Sequence, residues 1–198
     1  QHQKKSVELH ADFRYKSKLE NTPYIEKISH RHTKLHIGYL SADMHSHATV
    51  RLLAGVLENR NTQAFVTHIY SYGPNKEDEG RSRMEAACDY FHEVSWLSDE
   101  GIAKQIMADE IDILVDLKGY TQDGRLGITA LRPAPVIVSW LGYPGTLGHP
   151  KLADYIIGDP TVTPLEYSAN FSETLALMPH CYQPNDDKRE LGAPPNRK

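Results

Sequence analysis

Ile111-Asp112-Ile113-Leu114-Val115-Asp116-Leu117-Lys118-Gly119-Tyr120-Thr121 places a compact apolar run, bounded by Asp, directly before a glycine-bearing loop. Such a run fits an interior parallel strand buried on both faces, because a half-exposed strand would alternate apolar with polar residues. Reading outward, further β-branched or aromatic runs predict strands over 34–40, 64–72, 90–97, 112–117 and 136–141, with weaker ones at 155–158 and 174–178. The stretches between them carry a helical period. Leu52, Leu53, Val56 and Leu57 form one stripe within 49–58, and 77–89 leaves Arg81, Arg83 and Glu85 on a solvated face. Over 98–109, Ser98 is suited to cap the helix, Asp99 and Glu100 complement its positive end, and Ile102, Ile106 and Met107 face inward. Strands alternating with helices predict βαβ units. The expected fold is therefore α/β and Rossmann-like, a mostly parallel sheet with helices on both faces.

Residues 1–33 are polar and read as a connector with a short amphipathic helix over 7–19; 34–182 is the Rossmann-like lobe, and 183–198, with Pro184, Pro194 and Pro195, reads as a flexible tail or linker. The opening without Met leads us to expect a longer parent protein. A net charge of −4 argues against nucleic acid as a partner, since that role needs a basic face. Cys88 and Cys181 lack the spacing of a zinc cage or a disulfide framework and read as reduced thiols, so a cytoplasmic location is expected. With neither a long apolar run nor a signal-peptide core, no membrane association is expected.

In an open α/β sheet, ligands bind beyond the carboxyl ends of the strands, where helix amino-termini and free backbone N–H groups gather. Three loops hold that position. In the first, Asp43, His45 and His47 alternate, so an extended loop would show all three to one side. That pattern allows acid–base chemistry, a metal site, or a helix-capping loop with exposed histidines, and spacing leaves all three open. No glycine pattern for a dinucleotide or a P-loop is present, which disfavours a nicotinamide cofactor. The second loop, 118–125, offers two glycines, Tyr120 and Arg125. The third, Gly142-Tyr143-Pro144-Gly145-Thr146-Leu147-Gly148, lets backbone approach a ligand while a phenol and a hydroxyl supply hydrogen bonds.

Leu35 to Asp43, Ile111 to Thr121, Leu131-Arg132-Pro133-Ala134-Pro135, Trp140-Leu141-Gly142-Tyr143-Pro144-Gly145-Thr146, Asp154-Tyr155-Ile156-Ile157 and Leu175 to His180 follow one another in this order. Together they resemble the catalytic region of the O-linked N-acetylglucosamine transferase family. The resemblance implies the first lobe of a two-lobed GT-B glycosyltransferase. Such an enzyme passes N-acetylglucosamine from UDP-GlcNAc to Ser or Thr hydroxyls of proteins, inverting the anomeric carbon and requiring no metal. It implies Asp43 and His47 as catalytic candidates, and Thr49, Tyr143, Pro144, Gly145, Thr146 and Leu175 as substrate-binding candidates. UDP-GlcNAc is the implied donor, no cofactor is implied, and a carboxy-terminal lobe and protein acceptors are the implied partners. Tetratricopeptide repeats commonly precede the region in bacterial relatives. The family's usual Pro between His and Thr of the first loop is Ala48 here, and a further His proposed as base lies well upstream in the family, in a stretch expected to fall outside this chain. A different acceptor or sugar, or a binding module without catalysis, is the alternative outcome.

Overall fold

A computed structural model of the chain describes residues 2–23, 32–188 and 192. It contains the helices α1 (His2–Asn21), α2 (Ala48–Glu58), α3 (Glu79–Ala87), α4 (Asp99–Ala108) and α5 (Leu126–Thr129). The strands are β1 (Leu35–Ser41), β2 (Phe65–Ser71), β3 (Tyr90–Glu93), β4 (Ile113–Asp116), β5 (Val136–Ser139), β6 (Tyr155–Gly158) and β7 (Thr174–Leu177). They form one sheet in the order β3-β2-β1-β4-β5-β6-β7, and every pairing is parallel. The apolar run over 111–117 becomes β4, an inner strand whose Leu114 and Val115 face opposite sides and are both buried.

Each face of the sheet closes its own core. Tyr39, Ile69, Val115 and Val138 pack under α2 and α3 through Val50, Leu53, Leu57 and Met84. On the other side Leu40, Tyr70, Leu114 and Ile137 lie in one cluster with Ile102 and Ile106 of α4, Leu126 and Ile128 of α5, and Ala11 and Leu19 of α1. Helices thus cover both faces, as the alternation of strand and helix required. No helix among the described residues is long and apolar enough to cross a membrane.

Four local differences have physical causes. Helix α1 runs past both ends of the expected 7–19, and it seats Ala11 and Leu19 in the core while Lys151 Nζ donates to the carbonyls of Leu19 and Thr22 at 2.5 and 2.8 Å. Strand β3 stops at Glu93 instead of 97, because the Leu97 N–H turns back to the Val94 carbonyl before Ser98 caps α4. Helix α5 and a 3₁₀ turn at Leu165–Asn170 were not expected; each is too short to display a period. Residues 183–188 lie against α2 and α3, where Arg83 pairs with both Glu58 and Asp186, and Lys188 reaches Glu58 at 2.7 Å. The rest of the expected tail, 189–191 and 193–198, and residues 24–31 of the expected connector lie outside the described residues.

Candidate functional site

The order of the sheet reverses between β1 and β4, so the segments leaving these neighbours run off in opposite directions and open a crevice at their carboxyl ends. One ion pair spans this point. Lys118 Nζ, just past β4, donates to Asp43 Oδ2, just past β1, at 2.6 Å, with side chains only 8% and 13% exposed. The same Asp43 oxygen lies 3.5 Å from Thr49 Oγ1 and 3.6 Å from His47 Nδ1. Asp43, His47, Thr49 and Lys118 therefore form one polar group. Lys118 is not among the residues singled out from the sequence, although its place immediately after a buried strand was the available signal.

His47 caps α2: its Nδ1 accepts the Thr49 N–H at 3.2 Å. A ring nitrogen that accepts carries no proton, so the neutral imidazole holds its proton on Nε2. In that tautomer the His47 ring, with its side chain 44% exposed, presents Nε2–H as a hydrogen-bond donor. The loop is braced from behind by α3, where the Asp78 carboxylate takes the Ser46 N–H at 2.8 Å and Gly80 packs so closely on Ser46 that a Cβ there would lie 2.7 Å from its backbone. The alternating presentation expected of 43, 45 and 47 does not occur. His45 is only 9% exposed, its ring set edge-on to that of His47 at 5.8 Å. Among the described residues, Asp43, His45 and His47 do not bring ligand atoms close enough to share a metal.

The second and third loops interlock. Tyr120 donates to the Leu147 carbonyl at 2.9 Å and meets Tyr143 edge-on at 5.6 Å. Gly119, at φ +54°, lies where a side chain would collide with Tyr143, and a Cβ on Gly142 would sit 2.2 Å from the Leu117 carbonyl oxygen. Pro144 is exposed and Gly145 half-buried, whereas Thr146 is buried. Its hydroxyl donates to Glu173 at 2.7 Å and is 2.9 Å from Ser172 Oγ, while the Leu147 N–H donates to the other Glu173 oxygen at 2.6 Å. Burial pushes the Glu173 carboxyl up, and its hydrogen bonds pull it partly back. Leu175 is in register with Ile156 and, through it, Ser139, on the row of strand ends. It lies on β7, four strands from β1 and on the order of 19 Å across the sheet, so it is not brought to Asp43 and His47. Ala42, Tyr72, Asp123 and Arg125 line one cavity of about 490 Å³ above β1 and β2. Pro144, Gly145 and Thr146 line another of about 370 Å³ with Tyr167 and Phe171.

Asp116, the last residue of β4, is buried and accepts the N–H groups of Lys118 at 3.1 Å and Gly119 at 2.9 Å. Burial raises its pKa from 3.8 to about 6, against the pull of those two N–H groups and of Lys118. With the folded value above the unfolded one, its contribution to stability is full below about pH 4 and is lost as the pH climbs through about 6. Asp116→Asn is expected to flatten this part of the curve: urea unfolding at pH 4 and pH 6.5 should give a smaller stability difference in the variant than in the parent.

An all-parallel sheet covered on both faces, with loops gathered beyond the carboxyl ends at its point of reversal, defines a Rossmann-like α/β lobe. The profile of Glycosyl transferase family 41 matches residues 9–192, and the chain belongs to that family. It is 39% identical over 157 residues to the Arabidopsis thaliana protein named "Probable UDP-N-acetylglucosamine--peptide N-acetylglucosaminyltransferase SEC", covering 79% of this chain and 16% of that one. A Caenorhabditis elegans UDP-N-acetylglucosamine--peptide N-acetylglucosaminyltransferase is 36% identical over 159 residues, or 80% of this chain and 14% of the relative. The solved structure of a Thermobaculum terrenum O-GlcNAc transferase mutant, K341M, superposes with a TM-score of 0.73 at 30% identity, over 86% of this chain and 34% of that one. The chain thus spans about a sixth of the length of these curated relatives.

Proposed function

We propose that this chain is the amino-terminal lobe of a GT-B glycosyltransferase that moves N-acetylglucosamine from UDP-GlcNAc to Ser or Thr hydroxyls of proteins, with inversion and without a metal in the reaction. The observation that carries this reading is the Asp43–Lys118 pair with His47 and Thr49 beside it, set across the reversal point of a family 41 lobe. An inverting transfer needs the acceptor oxygen aligned opposite the leaving diphosphate, and donors already aimed at the charges that develop. In this reading the His47 Nε2–H donates to an oxygen of the donor sugar or the acceptor. Asp43, its charge balanced by Lys118, receives the acceptor hydroxyl and orients it. Thr49 holds both side chains in place, the 143–146 turn positions the sugar, and Leu175 supports the far end of that wall. A second lobe outside this chain supplies the uridine pocket and the cation for the diphosphate. A cytoplasmic setting agrees with the reduced-thiol reading of Cys88 and Cys181.

The test is to join the chain to the polypeptide that follows it in its gene and incubate the product with UDP-GlcNAc and Ser- or Thr-containing peptides. Mass spectrometry should find N-acetylhexosamine on a hydroxyl side chain; modification of Asn, or use of another sugar nucleotide in its place, would redirect the assignment. The 198-residue chain by itself should show no micromolar UDP binding by calorimetry, since one wall of a cleft holds only part of the ligand.

A further inference from the structure

A second group of chemistry-bearing side chains sits on the α4 face at the β2–β3 edge of the sheet. His68 of β2 and His92 of β3 point to the same face as Tyr70, since His92 is in register with Tyr70 and His68 lies two residues before it. Asp109, which ends α4, closes over them. His68 Nδ1 is 3.2 Å from His92 Nε2, and that nitrogen is 3.7 Å from Asp109 Oδ2. One ligand atom from each of the three lies within 4.8 Å of the others, the single set of this kind among the described residues. Ligand atoms around tetrahedral zinc, bound at about 2.0–2.1 Å, stand roughly 3.3 Å apart, so adjustments on the order of 1 Å complete the geometry.

The surroundings are those of a ligand shell. On its far side His68 Nε2 is 3.2 Å from His36 Nδ1, so a proton held on Nε2 leaves the Nδ1 lone pair for a cation. Tyr70 donates to Asp109 Oδ2 at 2.7 Å and Gln105 donates to both Asp109 oxygens, at 3.0 and 3.1 Å, which fixes the carboxylate. Asp109 also stands at the negative end of the α4 dipole. His68 is buried, 4% exposed, so a cation held there is shielded from bulk water. The His92 side chain is 22% exposed on the edge strand, which leaves an entry path.

We propose that His68, His92 and Asp109 form a binding site for one divalent cation of borderline softness, zinc above all. Two imidazoles and a carboxylate are the donor set such an ion prefers. The ion ties β2, β3 and the end of α4 together. A fourth position is left to water, and the site lies at the sheet edge, with β3 two strands from β1, so it stands whether or not the reading of the strand-end site holds.

The test is calorimetric titration of zinc into the chelator-stripped chain, paired with thermal unfolding. One zinc per chain and a raised Tm are expected, with affinity falling about tenfold or more in His92→Gln and in Asp109→Asn. Failure of zinc to bind, or binding that neither variant weakens, overturns the proposal. If either variant loses its fold by circular dichroism, cobalt-loaded parent protein decides: paramagnetically shifted ring resonances of His68 and His92 support the site, and unshifted ones overturn it.

Discussion

His47→Ala, made in the two-lobed protein, should lower kcat by about 10²-fold, the usual contribution of a positioned donor or proton-transfer group. The KM for UDP-GlcNAc should move little, because in our reading the nucleotide rests mainly on the other lobe. The substitution also strips the cap from α2, which costs about 1 kcal/mol. His47→Ser separates the two effects, since a serine caps the helix without an imidazole. Both variants should lose rate equally, and only the alanine should melt earlier. Steady-state kinetics with full-range UDP-GlcNAc titration reads this directly, and a rate unchanged in both would remove His47 from the mechanism.

Arg132→Ala should have the largest effect on stability, a loss of about 3 kcal/mol in urea unfolding. The Arg132 side chain is 1% exposed, and its Nη2 donates to the Pro135 carbonyl at 3.0 Å and to Asp154 Oδ2 at 2.9 Å. That Asp154 oxygen also accepts the Ile137 N–H at 2.7 Å, so one guanidinium ties the Leu131–Pro135 segment to β5 and to the start of β6. Removal leaves a cavity and a carboxylate without its cation. Asp154 is 25% exposed, and water can reach it, which holds the cost to the lower end for a broken buried pair. Arg132→Met combined with Asp154→Asn should recover part of the loss, because no unpaired charge then remains and the Asn carbonyl still accepts the Ile137 N–H.

The sheet was legible because its signals are local. The β4 run declared itself by composition, and Ser98 followed by Asp99 and Glu100 marked the start of α4, where the Ser98 hydroxyl does accept the Gly101 N–H at 3.2 Å. The candidate site was legible only in part. That 41–49 and 142–148 share an end of the sheet followed from the parallel order, with β4 alone between β1 and β5. The partnership of Lys118 with Asp43 depends on which strands become neighbours, and sequence periodicity carries no such information. The brace that Asp78 gives the first loop is a contact 32 positions away from Ser46. The commitment of Thr146 to Glu173 is equally non-local, and so is the alignment of His68 with His92, which requires the β2–β3 register.

The central claim is that the loops following β1, β4 and β5 form one wall of a sugar-nucleotide cleft. Hydrogen–deuterium exchange on the two-lobed protein, with and without saturating UDP-GlcNAc, tests it most directly. Peptides spanning 41–49, 118–125 and 142–148 should gain protection together while the amino-terminal ends of the strands stay unchanged. Protection absent from all three segments, or confined to the opposite end of the sheet, would contradict the account.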